Sequence, residues 1–288
     1  MTDQQAFASL RGLAVGDAFG AQILLPGDHP NIVGRQLPTA PWRWTDDTEM
    51  ACSLYAVLRR AGHVDQNALA ASFATHHDPD RGYGSGVARL VQDIRAGQPW
   101  PELAATAFGG SGSWGNGAAM RVAPLGAWYG ADLPRVLREA EQSAVVTHAH
   151  FEGVAGAVAV AAAAAMRAVQ PTLGGPDLLS SVIPFVPPGR VRDGLTTALE
   201  LLRSGADPAD AARTLGTGRE IAAHDTVPLA LWIAARHSAA YVEAMWLVAR
   251  LAEDVDTVAA IAGGVLAAGA HEIPVEWLQA TEPLPDWL

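Results

Sequence analysis

Apolar residues recur at helical spacing along most of the chain, and this pattern constrains the fold more than any other sequence feature. It runs through residues 50–58, 69–73, 133–145, 154–169, 191–202, 227–235 and 258–268. The period-two alternation of half-buried strands is almost absent. Alanine and leucine dominate the same segments, and both residues favour helix intrinsically. The sequence therefore predicts an all-α protein.

The breaks in the helical pattern are short. Glycine and proline interrupt it at 26–34, 109–117, 171–176, 184–190 and 204–208, but none of these stretches is a long polar linker. No internal repeat of solenoid length occurs. We therefore expect a single domain over residues 1–288. The small residues of segments 153–165 and 259–270 would let helix axes approach closely, so we expect both segments at the centre of a bundle, near the site.

Charge and cysteine content limit the class of partner and the compartment. Nineteen Lys and Arg against 30 Asp and Glu give a formal net charge of -11, which disfavours a platform for nucleic acid. The single cysteine, Cys52, fits a reducing, cytoplasmic setting. The sequence begins without the features of a secretion signal. The apolar stretch 154–169 is shorter than the roughly 20 residues that span a bilayer, so we expect a core helix and no membrane association. We also expect the protein to be a monomer.

Two acidic segments indicate a metal-dependent hydrolase. Thr45-Asp46-Asp47 precedes a helical run, and Asp254-Val255-Asp256-Thr257 repeats the same combination near the end of the chain. Asp46 and Glu49 also have the spacing of a capping box, so a helix cap is the alternative for the first segment. Both segments offer only oxygen ligands, which suit Mg²⁺, Mn²⁺ or Ca²⁺ rather than zinc. Bound cations would relieve repulsion between the carboxylates and could activate a water molecule.

A glycine-rich loop over residues 109–117 runs into a predicted helix. The exposed backbone N–H groups of such a loop can bind a diphosphate at a helix N-terminus, although an ordinary flexible turn is the alternative. Asn116 offers both a donor and an acceptor to a ribose or a phosphate. Trp114 could stack on an adenine ring.

Two histidines follow at 148 and 150. Residues at i and i+2 of a helix do not share a face, so we expect at most one of them to reach a ligand. We select His148 for that contact and expect a structural role for His150.

Five motifs, in order along the chain, resemble the ADP-ribosylglycohydrolase family, which includes the dinitrogenase-reductase-activating glycohydrolases and the ADP-ribosyl-acceptor hydrolases. They are residues 11–20 (RGLAVGDAFG), 44–48 (WTDDT), 115–122 (GNGAAMRV), 148–150 (HAH) and 254–257 (DVDT). The resemblance implies a compact orthogonal helical bundle and two divalent ions, Mg²⁺ or Mn²⁺, with Ca²⁺ able to replace them in a crystal. It also implies hydrolysis of the glycosidic bond that joins ADP-ribose to an acceptor.

The resemblance implies roles for individual residues as well. The metal ligands it implies are Thr45, Asp46, Asp47, Asp254, Asp256 and Thr257. Either Asp46 or Asp47 would be the catalytic base that orients the attacking water. The residues implied to hold ADP-ribose are Ser113, Gly115, Asn116 and Gly117, with His148 as a further contact. Trp114 is added as a substrate contact on its possible stacking with adenine alone.

This sequence departs from the family pattern at two places. Several family members carry a glutamate shortly after the Gly-Asp-Ala motif, where it gates the site or assists the metals, but residues 22–26 here read QILLP. The glycines that often precede the second acidic segment are replaced by Ala252 and Glu253, and Glu253 either adds charge near the metals or faces solvent. Two alternatives stay open: a non-catalytic ADP-ribose-binding or crystallin-like structural protein, and a dinuclear-metal phosphoester hydrolase.

Overall fold

The computed structural model describes residues 2–269 and 272–288, and within these ranges the chain forms sixteen α-helices and no strand. The all-α prediction is confirmed. Three short 3₁₀ turns, Pro79–Arg81, Asn116–Ala118 and Ile183–Phe185, lie between the helices. The α-helices are α1 (Thr2–Gly20), α2 (Pro30–Val33), α3 (Asp46–Ala61), α4 (Gln66–His76), α5 (Ser85–Arg95), α6 (Trp100–Gly110), α7 (Ala123–Tyr129), α8 (Leu133–Val145), α9 (Phe151–Val169), α10 (Gly175–Val182), α11 (Arg190–Ser204), α12 (Pro208–Leu215), α13 (Ala223–Arg236), α14 (Tyr241–Leu251), α15 (Val255–Ala268) and α16 (Val275–Ala280).

Helices α1 and α15 pack with their backbones in contact. Gly12, Gly16 and Gly20 recur every four residues and therefore share one face of α1. A Cβ at Gly20 would lie 2.5 Å from the Cα of Asp256, and a Cβ at Gly16 would overlap the carbonyl oxygen of Ala259. Only glycine permits this approach. The packing places the C-terminal half of α1 beside the first turn of α15.

Helix α9 is the second central element, and it contacts α7, α8, α13 and α15. By length and composition it could cross a membrane, but 83% of its most apolar window is buried inside the fold. The expectation of a buried core helix is confirmed. The small-residue segments at 153–165 and 259–269 are almost entirely buried, as expected, whereas Ala270, the last residue of the second predicted segment, lies outside the described residues.

The C-terminal segment, residues 280–284, lies along the stretch that leads into α3. Trp42 donates its backbone N–H to the carbonyl of Ala280 and accepts from the N–H of Glu282. The indole N–H of Trp44 donates to the carbonyl of Pro283 at 3.2 Å. These contacts fix the path of the chain immediately before Thr45.

Candidate functional site

The first turn of α3 presents Asp46 and Asp47 without using either side chain as a cap. Thr45 is the N-cap, and its hydroxyl accepts from the N–H of Asp47 at 3.3 Å. Glu49 does not close a capping box, because its carboxylate accepts from the hydroxyl of Tyr83 at 2.6 Å and from the N–H of Asp78 at 3.1 Å. The capping-box interpretation of Asp46 and Glu49 is therefore wrong. The side chains of Asp46 and Asp47 are both available for other interactions.

Asp17 of α1 lies in the same site, and sequence reasoning did not select it. Its carboxylate accepts from the hydroxyls of Thr45 at 2.8 Å and Thr48 at 2.5 Å, and from the backbone N–H groups of both threonines. These bonds hold α1 against the start of α3. A signal was present, because Asp17 is the one charged residue among residues 12–21, and a charged residue in such an apolar stretch is seldom buried without a partner or a function.

Three carboxylates from three helices converge at this point. One oxygen from each of Asp17, Asp47 and Asp256 lies within 4.8 Å of the other two. The Thr257 hydroxyl lies 3.4 Å from Asp47 Oδ2, and the Thr45 hydroxyl lies 3.2 Å from the same oxygen. Asp47 Oδ1 is buried and has no hydrogen-bond partner among the described residues. A buried oxygen without a donor, on a carboxylate that lies close to two others, fits a ligand of a hard cation.

Burial and mutual repulsion raise the pKa values of four aspartates in this acidic cluster, which we define as Asp17, Asp46, Asp47, Asp254 and Asp256. Burial, and next repulsion from Asp256, raise the pKa of Asp17 to about 7 and that of Asp254 to about 8. Burial, followed by repulsion from Asp17, raises the pKa values of Asp46 and Asp47 well above the ordinary range. In the described part of the chain, no basic side chain forms an ion pair with these carboxylates. Within residues 2–269 and 272–288, therefore, no basic side chain offsets the charge of the cluster through an ion pair.

Asn116 joins the glycine loop, residues 109–117, to the acidic cluster. Its side-chain amide donates to Asp254 Oδ2 at 2.7 Å and to the hydroxyl of Thr226 at 3.0 Å. Its backbone N–H donates to the carbonyl of Ile221 at 3.2 Å. Sequence reasoning treated the loop and the metal ligands as separate groups, but this amide connects them. The helix expected directly after the loop is only the 3₁₀ turn Asn116–Ala118.

His148 lies buried behind the glycine loop. A Cβ at Gly117 would lie 2.8 Å from His148 Cε1, so glycine is needed for the loop to pass over the ring. The Nδ1 atom lies 2.7 Å from the hydroxyl of Thr147. Burial, with repulsion from Arg121, lowers the pKa of His148 to about 3, so the ring is neutral at physiological pH. The His148 ring therefore packs against the glycine loop at Gly117. Its contact with a ligand stays a prediction.

Hydrogen bonds of Ser113 hold the glycine loop at residues 113–115 and join it to His150. The Ser113 hydroxyl accepts from the N–H of Gly115 at 3.3 Å, and the Ser113 carbonyl accepts from the N–H of His150. His150 Nδ1 accepts from the N–H of Glu152 at 3.1 Å and caps α9. The structural role expected for His150 is confirmed.

An exposed aromatic pair joins Trp114 of the glycine loop to Phe108, the residue just before the loop. The ring centroids of Trp114 and Phe108 are 5.0 Å apart, and the side chains are 39% and 58% exposed. Phe108 has a φ of 53°, a left-handed conformation that is uncommon for an aromatic residue. Such strain is often found at functional sites. Nothing in the sequence around Phe108 indicated this conformation.

The two departures from the family pattern have clear positions. Gln22 donates weakly to the carbonyls of Ala18 at 3.3 Å and Arg43 at 3.5 Å, and no carboxylate occupies its segment. Glu253 is exposed, accepts from the Thr217 hydroxyl at 3.0 Å and lies 3.7 Å from the Arg219 guanidinium. Of the two roles considered for Glu253, the solvent-facing one agrees with these contacts.

Comparison with known proteins agrees with this architecture. The model of the ADP-ribosylglycohydrolase family matches residues 2–288. The chain is 30% identical to ADP-ribosylhydrolase ARH3 of Homo sapiens, over 83% of this chain and 74% of that protein. It is 28% identical to ADP-ribosylhydrolase ARH3 of Xenopus tropicalis, over 96% of this chain and 91% of that protein. It is 29% identical to ADP-ribosylarginine hydrolase Tri1 of Pseudomonas putida (strain GB-1), over 97% of this chain and 76% of that protein.

A solved structure described as an ADP-ribosylglycohydrolase-related protein complex is also similar. It superposes with a TM-score of 0.65 at 28% identity and covers 98% of this chain and 93% of that chain. The fold, the order of the motifs and the extent of the family match therefore agree along nearly the whole sequence. This chain belongs to the ADP-ribosylglycohydrolase family.

Proposed function

We propose that this chain is a metal-dependent hydrolase of the glycosidic bond that joins ADP-ribose to an acceptor, and that it releases free ADP-ribose. The observation that carries the proposal is the convergence of Asp17, Asp47 and Asp256 at the end of a glycine loop tied to the cluster by Asn116. The similar human and Pseudomonas proteins are named as an ADP-ribosylhydrolase and an ADP-ribosylarginine hydrolase.

The residues of the acidic cluster fit hard divalent cations. The donors are carboxylate and hydroxyl oxygens without sulfur or imidazole, which suits Mg²⁺ or Mn²⁺. We propose that Asp17 orients Thr45 through their hydrogen bonds and adds its charge. Bound at this site, such ions would activate water and stabilise developing negative charge. The residues that would hold two ions are Thr45, Asp46, Asp47, Asp254, Asp256 and Thr257.

The loop and the aromatic pair would position the substrate. Backbone N–H groups of the glycine loop suit a diphosphate, and the exposed rings of Trp114 and Phe108 offer an apolar surface for adenine. Asn116 spans the distance between this loop and Asp254. The ribose to be cleaved would therefore lie towards the acidic cluster.

Asp46 is the group that we propose as the base towards the attacking water. Its side chain is half-buried, whereas Asp47 is fully buried, so Asp46 is the more accessible of the two. Glycosidic cleavage passes through an oxocarbenium-like transition state, which surrounding carboxylates stabilise electrostatically. Asp46 would accept the proton of the water as the glycosidic bond breaks.

Product analysis separates this function from its alternatives. The full chain would be incubated with Mg²⁺ or Mn²⁺ and with peptides that carry ADP-ribose on arginine or on serine. Release of free ADP-ribose supports the proposal, and the preferred peptide identifies the acceptor. AMP or inorganic phosphate as the main product would instead indicate a phosphoester hydrolase, and tight ADP-ribose binding without turnover would indicate a binding protein.

A matched pair of variants assigns the activity to the site. Asp46→Asn should lower kcat by roughly a hundredfold or more, the range typical for loss of a general base. Asp286→Asn makes the same chemical change at an exposed position outside the cluster and should leave kcat unchanged. Equal kcat values for both variants would refute the role of Asp46.

A further inference from the structure

A cavity lies between α1 and the C-terminal segment. Its volume is about 680 Å³, within the roughly 300–1,000 Å³ usual for small-molecule sites. Four residues of α1 line it, and their spacings of three and four positions place them on one face of the helix: Phe7, Arg11, Ala14 and Val15. Gly12, which packs on α15, lies on a different face. None of the five aspartates of the acidic cluster lines this cavity.

The lining of this cavity is mostly apolar, and of its two charged residues, Arg11 and Glu282, only Glu282 has an ion-pair partner among the described residues. Arg11 is exposed and forms no hydrogen bond or ion pair with any other residue that the structure describes. Glu282, the one carboxylate of the lining, is already neutralised, because both of its oxygens accept from Arg81 at 2.7 and 2.9 Å. One uncompensated guanidinium therefore borders an apolar cavity. The apolar surface comes from Phe7, Ala14, Val15, Leu278, Pro283 and Leu284.

We propose that this cavity is a binding site for a small monoanion with an apolar body, of the class of medium-chain carboxylates. Arg11 would bind the carboxylate, because a guanidinium pairs with its two oxygens through parallel hydrogen bonds. The hydrocarbon chain would lie against Phe7, Leu278 and Leu284 and remove apolar surface from water. ADP-ribose, with two phosphates and two riboses, does not match this lining.

Calorimetric titration of the full chain tests the ligand class. Decanoate, kept at concentrations too low for micelles to form, should bind with a stoichiometry of one decanoate per chain. Decylammonium has the same chain with the opposite charge, and acetate has the same head group without the chain, so neither should bind measurably. Binding of decylammonium as tight as that of decanoate would overturn the proposal, because it would show that Arg11 does not select the ligand.

Variants and competition locate the binding. Arg11→Gln should weaken decanoate binding by about tenfold, as expected for loss of a charge-assisted contact at an exposed position, and Arg11→Lys should restore part of it. Arg203→Gln, at an exposed position on α11, is the matched control and should leave binding unchanged. Melting curves of all variants would verify folding. Unchanged affinity in Arg11→Gln, or displacement of decanoate by ADP-ribose, would contradict the assignment.

Discussion

At the scale of single residues, the acidic cluster depends on how Asp17 is hydrogen-bonded. Both oxygens of Asp17 accept bonds, from Thr45 and Thr48, and each threonine supplies a backbone N–H and a hydroxyl. This arrangement fixes the first turn of α3, from which Asp46 and Asp47 project. Asp17 therefore couples the position of α1 to the geometry of the proposed metal ligands.

Replacing Asp17 with asparagine tests this coupling. Asparagine keeps the shape but substitutes an NH₂ donor for one acceptor oxygen, so either the Thr45 or the Thr48 donors lose their partner. With saturating Mg²⁺, Asp17→Asn should lower the free energy of unfolding by roughly 1–3 kcal/mol and weaken metal binding. Denaturant unfolding and calorimetric metal titration measure the two effects. Wild-type values for both would show that Asp17 does not organise the site.

Sequence reasoning predicted part of this site and missed the rest for identifiable reasons. The two acidic segments were found because pairs of carboxylates beside a threonine are visible locally. Asp17 was noted only as part of the motif at residues 11–20 and not as a site residue. Its hydrogen-bond partners Thr45 and Thr48 are distant along the chain, so no local pattern links them to it. Phe108 could not be found, because no local residue pattern encodes its left-handed backbone conformation.

At the scale of the helices, the packing of α1 on α15 sets the separation of the carboxylates that these helices carry. Asp17 lies on α1 one helical turn before Gly20, and Gly20 packs against the backbone of Asp256 on α15. The apolar periodicity predicted α15 and the helical fold class. It did not predict which glycines would lie at helix contacts, because glycine at four-residue spacing is also compatible with an exposed helix face.

A methyl group at Gly16 should force the two helices apart. Its Cβ would overlap the carbonyl oxygen of Ala259, and backbone atoms cannot rotate away. Gly16→Ala should therefore lower the free energy of unfolding by about 1–3 kcal/mol or more. Gly86→Ala is the control, since its Cβ would meet only the tip of Phe108 at 4.0 Å, and it should stay within about 1 kcal/mol of wild type. Urea unfolding compares the two, and equal loss in both would contradict this account of the helix contact.

At the scale of the whole molecule, part of the excess negative charge lies in the acidic cluster, where the carboxylates are close together and largely buried. The chain carries a formal charge of -11, and five aspartates of the acidic cluster lie together without an ion-pair partner among the described residues. A protein of this kind is expected to gain stability from any cation that binds the folded state preferentially. The gain should depend on how fully the carboxylates are ionised.

This charge density predicts the pH dependence of the metal-free protein. The folded pKa values of Asp17, about 7, and Asp254, about 8, lie above their unfolded values of about 3.9. The folded state therefore retains protons that the unfolded state has lost, and stability falls as pH rises through the folded pKa values. The melting temperature of the metal-free protein should therefore decrease as the pH is raised from about 6.5 to 8.5. Below this window, buried histidines such as His148 make stability increase with pH, which opposes the effect of the aspartates.

Thermal melts in chelator and in excess Mg²⁺ across this range measure the effect. The stabilisation by Mg²⁺ should be larger at the alkaline end, because more of the aspartates are then ionised in the absence of metal. Stability of the metal-free protein that rises with pH over the same window would contradict the account of the cluster.

The central claim is that metal ions held by the acidic cluster are required to cleave an ADP-ribosyl bond. The most direct test is the rate of free ADP-ribose release by protein stripped with chelator, measured as Mn²⁺ or Mg²⁺ is added back. We predict no release before addition, recovery of the full rate at saturating metal, and no recovery in Asp47→Asn. Full activity in stripped wild-type protein, with elemental analysis showing it free of metal, would contradict the claim.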